Sequence, residues 1–236
     1  MDRSLAPDPN VLLAPLRHFI VEDMSGADLA AAGTLAASAL TLLAESVTAM
    51  LKAGGTPPED ISCQFFPDPD DETTPGNLYV WPITRTSSTS TYDDAHDAEY
   101  SLRASVFLSE RDDADNVYPA GITLVLKLQA SACELVNVLP PAIFERLEFE
   151  LKRSGTPAGF EFLDDVQHLP VMPNMRRQFI KAIDRAHAVT AKARRTEFEA
   201  VMLHYIWDET EPEQDFGAVL WTMAALFAAI HYKARS

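Results

Sequence analysis

Catalytic signatures are what this sequence has least of. It holds no Gly-x-Ser-x-Gly elbow, no glycine-rich phosphate loop and no His-Glu-x-x-His pair. Glycine is itself scarce, 9 residues in 236, about 4 % against a usual ~7 %. Loops that bring backbone amides close to a nucleotide therefore have little to be built from. Cysteine is limited to Cys63 and Cys133, too few for a disulfide framework. Both stand in apolar, strand-like surroundings, where a free thiol is expected to be buried. Basic residues are outnumbered, 19 against 35 acids, for a net charge of −16. A field of that sign repels phosphate, which argues against the whole molecule as a general binder of nucleic acid or anionic membrane.

Long apolar runs are few. Leu29–Ala44 is mostly Ala, Ser, Thr and Gly and is followed by Glu45, a poor composition for a span that needs about 20 strongly apolar residues. Phe216–Tyr232 is more apolar and ends at Lys233 and Arg235. A buried helix is the expectation there, with a C-terminal membrane anchor as the weaker alternative. The segment Met1–Asn10 lacks a basic stretch leading into an apolar one, so no secretory signal is read and a cytoplasmic location is expected.

What the sequence does have is segregated charge. Between residues 57 and 120 stand fourteen acids and three bases, a net −11. Between 176 and 195 stand seven bases and one acid, a net +6. Two opposed fields in one chain imply that they meet each other or that one of them meets a partner.

With 47 % hydrophobic residues the chain has material for a substantial core. Its pattern predicts an α+β fold. The segment Ala27–Ala53 carries apolar residues at helical spacing and stops at Gly54-Gly55, and its many small residues predict a central helix approached closely on several sides. Four runs rich in β-branched and aromatic residues follow: Ile61–Phe66, Leu78–Arg85, Glu99–Leu108 and Ile122–Ala130. They predict a roughly four-stranded, mainly antiparallel sheet, the third strand with one wet face and the fourth nearest the centre. The segment Ala142–Ser154 fits either helix or strand, and proline in its first turn with Gly155 at its end favours helix. Gly159–Leu163 suits an edge strand. From Asn174 to about Trp207 one long helix is expected. A second follows, opened by a capping box at Thr210-Glu211-Pro212-Glu213, and the two form a C-terminal hairpin. Residues 1–165 then make an α+β domain, and 166–236 a helical hairpin on the same core.

At 100° per residue, Arg177, Lys181, Arg185, Lys192, Arg194 and Arg195 fall on one stripe of that long helix, opposite Phe179, Ile183 and Ala186. Arg176 and Arg177 sit in its first turn, where the helix dipole disfavours cations. An anionic neighbour is therefore expected there. The acids Asp68, Asp70 and Asp71, with Glu72, lack the ordered ligand positions and glycine of a calcium loop. Asp93, Asp94 and Asp97, with His96, are read as surface and not as a metal site. Neither a cofactor nor a metal is expected. His187 and His204 are read as packed or surface residues.

The leading expectation is a non-catalytic protein-interaction module of the inhibitor, immunity or adaptor type. Its contact residues are Arg176, Arg177, Lys181, Arg185, Lys192, Arg194, Arg195, Asp68, Asp70, Asp71, Asp93, Asp94 and Asp97. Self-association, with one copy's acids on another's stripe, would use the same complementarity. One alternative is an enzyme whose site lies where the Asp93–Glu99 loop approaches the helices. Another is nucleic-acid binding through Arg176–Arg195, which the overall charge opposes.

Overall fold

A computed structural model of the chain describes residues 2–67, 74–83, 92–153, 161–164, 167–170, 174–192, 200–208 and 215–236. In chain order the elements are α1 (Pro9–Leu13), α2 (Gly26–Ala53), β1 (Ile61–Pro67), β2 (Gly76–Pro82), α3 (Tyr92–His96), β3 (Tyr100–Phe107), β4 (Glu110–Arg111) and β5 (Val117–Tyr118). There follow β6 (Gly121–Gln129), α4 (Ala130–Val138), α5 (Pro141–Arg153), β7 (Glu161–Asp164), β8 (Gln167–Pro170), α6 (Met175–Lys192), β9 (Ala200–Asp208) and α7 (Phe216–Ala234). The fold is α+β. Its main sheet has the order β1-β2-β3-β6-β9-β7-β8 with antiparallel pairing throughout, and β4-β5 is a separate short hairpin.

The four strands expected from the pattern are β1, β2, β3 and β6, a meander whose last member lies at the middle of the sheet. Leu102, Ala104 and Val106 of β3 alternate onto the same side as Leu124 and Leu126 of β6, and with Leu203 and Tyr205 of β9 they floor the core. Helices α2, α4, α6 and α7 bury their apolar sides against this floor. On the opposite face, Tyr79 and Trp81 of β2 pack with Ala95 of α3 and with Phe66. That face of β3 is not wet as expected. Ser101 and Ser105 are buried and Arg103 is half-buried. Burial of the Ser105 hydroxyl is offset because it donates to Asn77 Oδ1 on β2.

Where the long helix from Asn174 to about Trp207 was expected, α6 ends at Lys192 and Ala200–Asp208 is a strand. Val201, Leu203, Tyr205 and Trp207 alternate along it, and pairing with all nine residues of β6 on one side, and with β7 on the other, fixes it in the sheet. The two C-terminal helices are thus separated by β9 and packed on shared neighbours, α4 and α5. The expected capping box lies outside the described residues; α7 is capped by Asp215, whose Oδ1 accepts the Ala218 N–H at 2.9 Å. The ambiguous segment is helical, as α5, with Phe144, Leu147 and Leu151 buried.

The central helix is α7 and not α2. It buries twelve of its nineteen residues, whereas α2 buries eight of twenty-eight. The small residues of α2 answer a different need. Thr34, Ser38, Thr41 and Ser46 donate their hydroxyls to carbonyls four residues back, so the outer side satisfies itself. By length and composition both α2 and α7 could cross a membrane; the apolar surface of α7 is spent on the core.

Gly121 opens β6 opposite Phe107, and a Cβ there would run into the Phe107 ring and come 2.6 Å from the Trp207 carbonyl oxygen. The latter atom belongs to the β9 backbone and cannot turn away. Gly121→Ala is expected to cost about 1–3 kcal/mol by overpacking, read as a lowered urea midpoint.

Candidate functional site

Helix α6 sits as its amphipathic pattern requires, with Met175, Phe179, Ala182 and Ile183 buried, and Arg177 and Lys181 exposed. Arg176 and Arg185 are half-buried. The anionic neighbour expected at the first turn is Glu148 of α5, whose Oε1 accepts the Met175 N–H. A carboxylate at this end is favourable to the helix dipole and offsets the two arginines. Arg176 donates from Nη2 to the Asn137 carbonyl at 3.1 Å, tying α6 to the end of α4. Among the described residues no carboxylate lies within the 4.0 Å ion-pair distance of Arg177 or Lys181. Lys192 ends α6, and Arg194 and Arg195 lie outside the described residues, as do Asp68, Asp70 and Asp71.

The described acids are less uniform than their run along the chain implies. Asp93 and Asp97 are exposed, and Asp94 shares α3 with Asp93. Asp112, by contrast, holds its own hairpin together. Its Oδ1 accepts the N–H groups of Ala114 and Asn116 at 2.9 and 2.8 Å, and these bonds, the Asn116 side chain's first, pull its pKa down. Arg111 then ties the hairpin to Asp23 at 2.8 Å.

A second feature was not anticipated. A cavity of about 850 Å³ opens between the end of α2, the α4–α5 turn and the last turns of α7. Leu139, Ile143, Leu147 and Trp221 supply apolar walls, and Arg146, Lys233 and Arg235 stand on its rim, with Asp60 the one acidic side chain among the described residues there. That size is ordinary for a ligand site.

Beneath the rim lies a buried polar chain. Tyr100, 2 % exposed, meets Nδ1 of His231, 4 % exposed, at 2.9 Å. The other ring nitrogen, Nε2, has no hydrogen-bond partner and faces Asp60 Oδ2 at 3.9 Å, and Arg235 pairs with that same carboxylate. The proton belongs on Nε2, toward the carboxylate, so Nδ1 accepts from the Tyr100 hydroxyl. Burial pushes the Tyr100 phenol up to about 12, with Glu99 adding to the effect. Burial, and then the charge of Arg235, pulls His231 down, while Asp60 works the other way.

Nothing local in the sequence marks this chain, since Asp60, Tyr100 and His231 come from three distant elements. The available signal was a histidine placed at the end of an apolar run, Phe216–Ile230, where only a packed or paired imidazole is tolerated. The thiols are unreactive in character: Cys133 is buried, with Sγ donating to the Leu128 carbonyl at 3.7 Å, and burial raises half-buried Cys63 to about 11. Among the described residues no three His, Cys, Asp or Glu side chains cluster as a metal site.

Compared with protein-family models, with curated proteins and with solved structures, the chain matches none.

Proposed function

We propose that this chain is a non-catalytic protein-interaction module that docks the exposed side of α6 onto an acidic surface of its partner. The observation that carries the reading is the state of Arg177 and Lys181. Both are exposed on an ordered helix, and no described carboxylate of the same chain pairs with them. In a protein of net charge −16, exposed cations on a helix face with no described carboxylate beside them add specificity and speed to association with an acidic partner. The exposed acid Asp93 then offers a second, basic contact, including one with another copy of the chain.

The test is affinity capture from the native cells, with the captured proteins identified by mass spectrometry. Arg177→Glu combined with Lys181→Glu and Arg185→Glu is expected to reduce recovery of the main partner at least tenfold, with the circular dichroism spectrum unchanged. Equal recovery by the folded triple variant would end the proposal. Rim charges act largely through the association rate, so capture by the unaltered protein should also weaken as salt rises.

A further inference from the structure

We infer that the partner presents an acidic amphipathic helix to this chain, seated in the groove along α7. This rests on the interaction reading above and names the chemistry of the occupant. The groove is shaped by one helix face. Ala225, Ala228, Ala229 and Tyr232 recur at the spacing of a single α7 face, and the groove-lining stretch from Trp221 to Arg235 runs about 21 Å at 1.5 Å per residue. The three alanines are half-buried, so the face lies open to the groove, and their small side chains let a second backbone come close. Apolar surface is left at its edges, where Val138 is 57 % and Tyr232 77 % exposed. A helix of about four turns fits such a channel and reads it with anchors at i, i+4 and i+7.

Charge says which helix. Arg146 and Lys233 are exposed on the rim, and neither has a described carboxylate within ion-pair distance. The groove wall also holds the buried Nε2 of His231, a nitrogen without a hydrogen-bond partner. Among the described residues, three cationic side chains line the groove against one acidic side chain, Asp60, which Arg235 already occupies. On the α4 side, Arg176 bonds the carbonyl of Asn137, the residue next to Val138. The first turn of α6 therefore lies beside the Val138 end of the groove. Carboxylates flanking an apolar stripe are complementary to this surface, whereas a basic helix would meet like charge along the rim.

The experiment is selection from a display library of random 16-residue peptides against the full chain, followed by affinity measurement on the enriched sequences. Enriched peptides are expected to carry apolar residues at i, i+4 and i+7 with Asp or Glu between them. Their affinity is expected to fall at least tenfold on Ala228→Trp, which fills the groove, and likewise on Arg146→Glu with Lys233→Glu, two exposed positions that leave the core alone. No enrichment, enrichment of basic or non-periodic sequences, or affinity indifferent to both sets of substitutions would each overturn the inference. The α6 triple variant separates the two proposals. Peptides that lose affinity on that variant and not on the groove variants would sink the groove while leaving the α6 reading standing. Peptides that depend on the groove variants while partner capture ignores the triple variant would do the reverse.

Discussion

Replacing Phe227 with alanine is expected to remove about 3–5 kcal/mol of unfolding free energy, the range for deleting a buried aromatic ring. Phe227 is fully buried in α7, the helix at the middle of the core. Its ring lies 5.5 Å from that of Tyr100 on β3 and stacks at 6.2 Å and 6° on His231, one turn along the same helix. Truncation would leave a cavity bounded on one side by a paired strand, which cannot collapse inward without breaking its ladder to β2 and β6. The loss also uncovers the Tyr100–His231 hydrogen bond. Since domains of this size are commonly stable by about 5–15 kcal/mol, the variant would be marginal at 37 °C. Urea unfolding should show the midpoint fall with the slope preserved. A change below about 1 kcal/mol would mean that the ring is not packed as described.

The meander was legible because each of its strands announces itself. In β3 the alternation of Tyr100, Leu102, Ala104 and Val106 with Ser101, Arg103 and Ser105 is complete within seven residues. No partner is needed to read it. Strand β9 shows the opposite case. Its own alternation of Val201, Leu203, Tyr205 and Trp207 was present, but the good helix formers between Lys181 and Ala193 run toward it without a glycine or proline to stop them. What settles that segment is pairing with Leu124, Leu126 and Leu128 some eighty residues earlier, an interaction that local propensity cannot register. Helix α2 was misplaced for a related reason. Small residues predict close approach from several sides, whereas here serine and threonine close their own hydrogen bonds on an outer face.

The candidate surfaces divide in the same way. The basic stripe is periodic within one helix, so the orientation of Arg177 and Lys181 could be read from spacing alone. Glu148, which answers the dipole mismatch at Arg176 and Arg177, comes from a different helix and could be anticipated only as an unnamed anion. The groove was illegible. Its walls come from the ends of α2 and α4, the start of α5 and the last turns of α7, and the polar chain beneath it joins Asp60, Tyr100 and His231. Contacts of that sequence separation are products of the topology and leave no motif behind.

That polar chain makes the second large prediction, a stability that is level in the middle of the pH scale and falls at both ends. The fold favours neutral Tyr100, whose pKa rises from 10.0 to about 12. Its contribution is therefore complete below pH 10 and is lost as the pH climbs toward 12. At about 1.4 kcal/mol per unit the loss is roughly 2–3 kcal/mol. The fold also favours neutral His231, whose pKa is lowered from 6.5. Here the unfolded chain binds the proton more readily, so stability is complete above about pH 6.5 and declines on acidification below it. Tyr100→Phe should remove the part of the alkaline decline that falls between about pH 10 and 12 and leave the earlier part, from Cys63, whose burial raises its pKa from 9.0 to about 11. At pH 8 it should also cost about 1–3 kcal/mol, because Nδ1 of His231 is left buried without its donor. His231→Gln should flatten the decline that begins near pH 6.5. Urea midpoints measured every half unit from pH 5 to 11.5 for the three proteins would test both limbs. An alkaline slope identical in the unaltered protein and Tyr100→Phe would show that the phenol does not titrate from within the core, and the hydrogen bond to His231 would lose its assigned role.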